Sequence, residues 1–172
     1  MTPHLIATIG PPGAGKSTAR PLYTPAGAVL VSLDDIRADL SPCGCSSNQA
    51  VNDAATTVGF DITNTALAAG RTVVWDTTAY LWRARARMLR TAARHGARTT
   101  AVLALPPLAT VLVRNGGRDP VRCRVCGYAR RVDDDRVREM HHAITLAAPT
   151  LAAEGWHEVH HLDRVRVAQP SR

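Results

Sequence analysis

Residues Gly10–Ser17 read Gly-Pro-Pro-Gly-Ala-Gly-Lys-Ser, a complete match to the pattern G-x-x-x-x-G-K-[ST]. Nothing else in the chain constrains its fold as tightly, because this pattern works only where a strand ends in a glycine loop that opens a helix. Leu5–Ile9 is a short apolar run ending at Gly10, as a buried strand should be. Gly10, Gly13 and Gly15 let the backbone curl so that successive N–H groups point into one concavity for anionic oxygens. Gly10, Gly13, Ala14, Gly15, Lys16, Ser17 and Thr18 form the expected cradle. Lys16 is placed to reach β- and γ-phosphates, and the Ser17 hydroxyl to ligate magnesium. The helix starting near Lys16 adds its positive end to the same place. The competing reading, a surface Gly/Pro turn that happens to end in Lys-Ser, does not account for the strand before it. The expected ligands are ATP, or another nucleoside triphosphate, and Mg2+.

Downstream, strands and helices alternate. Ser17–Tyr23 reads as a helix cut short by Pro21 and Pro25, and Ala28–Ser32 as a strand ending on Asp34-Asp35-Ile36-Arg37. Asn48–Ala69 reads as a helix closed by Gly70. Thr72–Trp75 is a strand that again ends on an acid, Asp76, and Leu81–His95 a helix stopped by Gly96. Arg98–Leu105 (strand), Pro107–Asn115 (short helix), Asp133–Leu146 (helix) and Trp156–Leu162 (strand) complete the series. This order predicts an α/β domain, a doubly wound parallel sheet of about five strands with helices on both faces. Ligands of such sheets lie beyond the carboxyl ends of the strands, where Gly10, Asp34 and Asp76 all fall.

With 172 residues the chain is long enough for one such domain, expected over 1–166, with a disordered tail over 167–172. Only 4% of residues are aromatic, so Ala, Val and Leu must fill the core. The formal charge is +7, almost wholly from arginine, since Lys16 is the only lysine. That sign favours an anionic partner such as nucleic acid and argues against a basic one. No apolar stretch is long enough for a membrane span and no basic-plus-apolar leader is seen, so a cytoplasmic location without membrane contact is expected.

Beside the loop, Asp34 is placed to accept a proton from an attacking hydroxyl, and Arg37 to clamp an acceptor phosphate. Capping of the helix N-terminus by Asp34 or Asp35 explains the same residues without chemistry. Asp76, followed by Thr77-Thr78, is open to both readings. Arg114-Asn115-Gly116-Gly117-Arg118 combines arginines for a transferring phosphoryl group with a glycine hinge, and it opens an expected lid over 116–131. An exposed basic helix end is the bland alternative. Arg83, Arg87, Arg90 and Arg94 line one helix face, as a solvated side or as a track for a nucleic-acid backbone. His141 and His142 read as surface or helix-packing residues, and Trp75, Trp82 and Trp156 as core or pocket wall.

Taken in order, Gly-x4-Gly-Lys-Ser, Asp-Asp-Ile-Arg, Asp76-Thr77-Thr78 and Arg114-Asn115-x2-Arg118 resemble the polynucleotide 5′-kinase family. The pattern is that of the kinase module of phage polynucleotide kinase-phosphatase and its small bacterial relatives, and it extends over nearly the whole chain. The resemblance implies a P-loop kinase that moves the ATP γ-phosphoryl group to the 5′-hydroxyl of a DNA or RNA end, as in nucleic acid repair. It implies Asp34 as general base, Arg37 on the acceptor phosphate and Asp76 supporting the acceptor site. Lys16, Arg114 and Arg118 would attend the donor phosphates, Arg118 from the lid. Antibiotic, nucleoside and toxin-type kinases share this framework, so a small-molecule acceptor stays open, as does an ATPase or switch without an acceptor. The phosphatase and ligase modules often fused to such kinases have no counterpart here, so by this resemblance any repair partner is another chain.

The segment Pro120–Arg131 departs from that pattern and contains Cys123-x2-Cys126-Gly127. The remaining cysteines are Cys43 and Cys45. Cys-x2-Cys-Gly is the turn of a zinc knuckle, and the absence of cysteines outside the two pairs suggests one shared four-thiolate zinc site. Such a site would clip the lid to the loop after the Asp34–Arg37 helix. Four unremarkable thiols are the alternative, and a disulfide is disfavoured in a reducing compartment.

Overall fold

The computed structural model describes residues 2–162. The tail expected over 167–172, and the last residues of the domain expected to run to 166, lie outside them. Five strands form one sheet: β1 (His4–Ile9), β2 (Val29–Ser32), β3 (Thr72–Asp76), β4 (Arg98–Leu103) and β5 (Glu158–His161). Their order is β2-β3-β1-β4-β5, and every pair is parallel. The strand that leads into the glycine loop is therefore central, hydrogen-bonded to β3 and β4 on its two sides.

Side-chain alternation along the strands builds two cores, because successive residues face opposite sides of the sheet. Leu5, Ala7 and Ile9 join Val73, Trp75, Ala101 and Leu103 in the larger core. Ile6, Val74 and Val102 form the smaller one, packed under Tyr23, Ala28 and Leu162. Both faces are covered, as a doubly wound sheet requires.

The helices are α1 (Lys16–Ala19), α2 (Leu33–Leu40), α3 (Asn52–Ala68), α4 (Trp82–Arg94), α5 (Leu108–Gly116) and α6 (Asp134–Ala147). α1 is shorter than expected and passes into a 3-10 turn over Arg20–Leu22, where Pro21 has no N–H to continue an α-helix. The long helix expected from Asn48 is split. The Asn48 side chain accepts from the Ala50 N–H and starts a 3-10 turn over Gln49–Val51, and α3 begins only after it. At α2 the cap is neither Asp34 nor Asp35 but Ser32, whose hydroxyl accepts from the Asp35 N–H at 3.3 Å. This frees both acids from the capping role. Trp75 and Trp156 are buried as expected, but Trp82 is 68% exposed at the start of α4. The expectation of a core or wall position fails there because Trp82 sits on the outer side of the first turn, while Arg85 and Met88 turn inward.

Among the described residues no helix is long and apolar enough to cross a membrane.

α3 packs tightly against the sheet at Gly59. A Cβ there would stand 2.9 Å from Cη2 of Trp75 and 3.1 Å from Cγ1 of Val31. The indole is wedged, since its ring lies 4.7 Å from Phe60 and its Nε1 donates to Thr63 at 2.8 Å. Alanine is favoured over glycine in a helix by about 1 kcal/mol. Overpacking a core that cannot yield costs about 1–3 kcal/mol. Gly59→Ala should therefore lower the urea midpoint of unfolding with an unchanged denaturant slope, where propensity alone would raise it.

Candidate active site

The loop after β1 is held by close backbone contacts. A Cβ on Gly10 would lie 2.4 Å from the Ala104 carbonyl oxygen, and one on Gly13 2.6 Å from that of Val111. Gly13 and Gly15 also have φ of +86° and +89°, a region that favours glycine. The Gly10 N–H donates to the Thr78 carbonyl at 3.1 Å, which ties the loop to the segment after β3. That segment is fixed in turn by buried Arg85, which donates to the carbonyls of Ala79 (2.8 Å) and Tyr80 (3.0 Å) and to both oxygens of Glu154.

Lys16 folds back over the loop, its Nζ donating to the carbonyls of Gly10 (2.8 Å) and Pro11 (3.0 Å). Burial lowers its pKa to about 8. The charges of Asp76 and Asp34 oppose that shift, and the charge of Arg118 adds to it. Asp34, Asp76 and Arg118 thus lie within Coulomb range of one ammonium, although they come from α2, the end of β3 and the lid. Arg118 feels Asp34 as well, and its own pKa is lowered by burial first and by Arg130 second. Two lid arginines therefore neighbour each other, and the sequence reading named only one of them.

The remaining predicted residues take specific places. The Ser17 hydroxyl donates to Oδ2 of Asp76 at 3.3 Å, and Arg20 pairs with the same oxygen at 3.1 Å. Asp76 thus stands beside the serine expected to ligate magnesium. Two oxygen ligands side by side suit a small hard cation. Arg114 closes the other side of the loop, since a Cβ on Gly15 would lie 3.4 Å from its Nη1. Ala14 is buried beneath the loop, and Thr18 is exposed. The Asp34 side chain is 72% exposed.

Arg37 differs most from its expected role. Its guanidinium is buried and committed, Nε to the Ser46 carbonyl (2.7 Å), Nη1 to Asn52 Oδ1 (3.0 Å) and Nη2 to Asp34. These partners occupy the donors that a bidentate phosphate clamp would use. Arg37 instead pins α2 to the following loop and to α3, and it orients the Asp34 carboxylate.

The lid closes on itself at its base. Asn115, fully buried, donates Nδ2 to the Val132 carbonyl at 2.7 Å and accepts from the Val132 N–H at 3.3 Å. The Arg131 N–H donates to the Asp119 carbonyl at 3.0 Å. At the tip, Cys123 and Cys126 meet Cys43 and Cys45, and the four Sγ atoms all lie within 4.8 Å of one another.

Besides Arg130, the structure adds Arg20, Tyr23 (whose hydroxyl donates to the Lys16 carbonyl at 2.8 Å) and the clasp role of Asn115. Asn115 carried a signal, a polar residue immediately before a Gly-Gly hinge. Arg20 and Tyr23 carried none, because only the fold brings them to the site.

The family described as AAA domain matches residues 5–149. No curated protein matches the chain in sequence. Among solved structures, a chain of the Pnkp1/Rnl/Hen1 RNA repair complex is similar with a TM-score of 0.65 and 20% identity, over 87% of this chain and 46% of that one. A protein of Chloroflexus aurantiacus provisionally described as a kinase has a TM-score of 0.53 and 18% identity, over 66% and 64%. A structure of the PezAT chromosomal toxin–antitoxin system of Streptococcus pneumoniae has a TM-score of 0.51 and 16% identity, over 67% and 54%. At these identities the likeness is one of fold, that of P-loop kinases, and the chain spans about half to two thirds of each matched structure.

The position of Lys16 fixes how nucleotide binding should depend on pH. Phosphates favour the charged ammonium, and in the free protein that proton is lost near pH 8. ATP affinity should hold below about pH 8 and fall by up to about tenfold per unit above it. Calorimetric titrations from about pH 7 to about pH 10 would read this. Lys16→Met should bind more weakly and lose the slope, whereas an equal slope in both proteins would contradict the assignment.

Proposed function

The chain belongs to the AAA domain family, with a P-loop kinase fold, and from that premise we propose that it is an ATP-dependent kinase of 5′-hydroxyl nucleic-acid ends. The observation that carries this reading is that the charges of Asp34 and Arg118, from α2 and the lid, both act on the Lys16 ammonium in the glycine loop. An exposed carboxylate within the field of the lysine and the lid arginine suits a general base for an incoming hydroxyl.

In this reading the acceptor oxygen forms a bond to the γ-phosphorus as the bond to the ADP oxygen breaks, and the acceptor proton passes to the Asp34 carboxylate. Arg37 is a positioning residue that aims this carboxylate. Lys16, Arg114, Arg118 and Arg130 hold the donor phosphates and spread positive charge over the oxygens of a loose transition state. Ser17, backed by Asp76, would hold Mg2+, which would neutralise charge between the β- and γ-phosphates. Asp76 is therefore assigned to the metal rather than to the acceptor.

A nucleic-acid acceptor is supported by the outer face of α4. Exposed Trp82 stands at its start, and Arg83, Arg87, Arg90 and Arg94 are all exposed along it. Arg87 lies over the Phe60 ring at 3.9 Å and Arg94 donates to Thr91 Oγ1 at 3.2 Å, so Arg83 and Arg90 are the ones free to meet phosphates. An aromatic face beside a basic track suits a single strand, with stacking near the reacting end. The fold likeness to a chain of an RNA repair complex points the same way. A cytoplasmic setting supplies the ATP.

The test is transfer of labelled γ-phosphate from ATP to 5′-hydroxyl DNA and RNA oligonucleotides. The wild type should label them. Asp34→Ala should lose about 10²- to 10⁴-fold in rate while keeping ATP affinity. Wild-type protein that binds ATP but labels no oligonucleotide would overturn the acceptor assignment and turn the search to small hydroxylated molecules. Equal transfer by Asp34→Ala would remove Asp34 from the chemistry.

A further inference from the structure

The lid has almost nothing apolar to hold it. Its large apolar side chains, Val121, Val125 and Tyr128, are all exposed. Between 116 and 131 it carries five arginines against one aspartate. Its base is clasped by Asn115, but a basic hairpin of this length with no core of its own needs a second anchor.

We propose that Cys43, Cys45, Cys123 and Cys126 bind one structural zinc ion that latches the lid tip to the loop between α2 and α3. Tetrahedral zinc with Zn–S bonds of about 2.3 Å places its sulfurs about 3.8 Å apart. The four Sγ atoms all lie within 4.8 Å of one another, close enough for one ion to reach all four. The turn around Cys123 has a knuckle's hydrogen bonds. The Cys123 N–H donates to the Tyr128 carbonyl and the Gly127 N–H to the Cys123 carbonyl, both at 2.9 Å, and the Val125 N–H donates to Cys123 Sγ at 3.4 Å. Gly127 has φ of +76°, which lets the chain reverse behind the sulfurs. Four thiolates around Zn2+ carry a net charge of about −2, and Arg122 and Arg124 flank them in sequence. The other pair sits on a loop tied down independently, because the Arg37 Nε donates to the Ser46 carbonyl and the Ser41 hydroxyl to the Cys45 carbonyl at 3.3 Å.

The latch has a consequence for the site. The loop with Cys43 and Cys45 leaves the helix that carries Asp34, and the hairpin with Cys123 and Cys126 carries Arg118 and Arg130. One ion therefore sets the distance between the proposed base and the lid arginines. This consequence rests on the kinase reading. The metal site does not, since its ligands, geometry and anchoring are independent of any phosphoryl transfer.

The test uses the full chain. Elemental analysis after purification in the presence of zinc should give one zinc per chain. Cobalt should replace it with the thiolate charge-transfer absorption and strong d–d bands of a tetrahedral site. The double variants Cys43→Ser/Cys45→Ser and Cys123→Ser/Cys126→Ser should each lose the metal, since each contributes half the ligands. Should a variant misfold, chelation of the wild type gives the same information. It should raise the rate of trypsin cleavage at the lid arginines on the order of tenfold, with the circular dichroism of the sheet and helices retained. Folded wild-type protein that binds neither zinc nor cobalt would overturn the site. Full metal affinity in the Cys43/Cys45 double variant, or a lid cleavage rate indifferent to chelation, would overturn the latch. None of these readouts needs kinase activity, so failure of the latch and failure of the proposed reaction are distinguishable.

Discussion

The structure depends on how closely the glycine loop sits against its neighbours. With no room for a Cβ at Gly10 or Gly13, the backbone after β1 lies directly on the carbonyls of Ala104 and Val111. That contact joins the central strand to the end of β4 and to α5, and α5 leads straight into the lid. A second tie, from Gly10 to Thr78, brings in the end of β3 and with it Asp76. The end of β3 and the helix leading into the lid are thus registered on one loop, while α2 with Asp34 is held separately by Arg37.

The site is assembled from well-packed parts and one part, the lid, with little apolar packing. Asp34 is aimed by buried Arg37, and the segment after Asp76 is held by the buried Arg85–Glu154 pair, whose arginine side chain is 3% exposed. Breaking such a pair costs about 3–5 kcal/mol, because it leaves an unpartnered charge. The lid has no comparable packing. In the proposed kinase reading its arginines act when held over the phosphates, and what positions them is the Asn115 clasp and the cysteine cluster rather than a core.

Much of the fold could be read from the sequence. The strand, glycine loop and helix at the start, the acids at two strand ends and the alternation of elements lead to the observed parallel sheet. The loop residues and the Cys-x2-Cys turn were likewise visible as local patterns. Positions that depend on tertiary geometry were not. Ser32, rather than either aspartate, caps α2 because the helix starts at Leu33 directly after β2, which puts both acids inside its first turn. Arg37 resembled a phosphate clamp, yet its burial against Ser46 and Asn52 depends on a loop whose path no spacing reveals. Trp82 looks like core by composition, and only the helix phase, set by Arg85 and Met88 facing inward, turns it to solvent. Arg20, Tyr23 and Arg130 reach the site through packing, with no pattern of their own.

The central claim is that Asp34 faces the transferring phosphoryl group across from Lys16 and takes the acceptor proton. The most direct measurement is a crystal structure with Mg2+, a non-hydrolysable ATP analogue and a short 5′-hydroxyl oligonucleotide. The account predicts the 5′-oxygen within hydrogen-bond distance of Asp34 and in line with the γ-phosphorus, with Arg118 on the phosphate. An acceptor bound away from Asp34, or a γ-phosphate on the far side of the loop from it, would contradict the account.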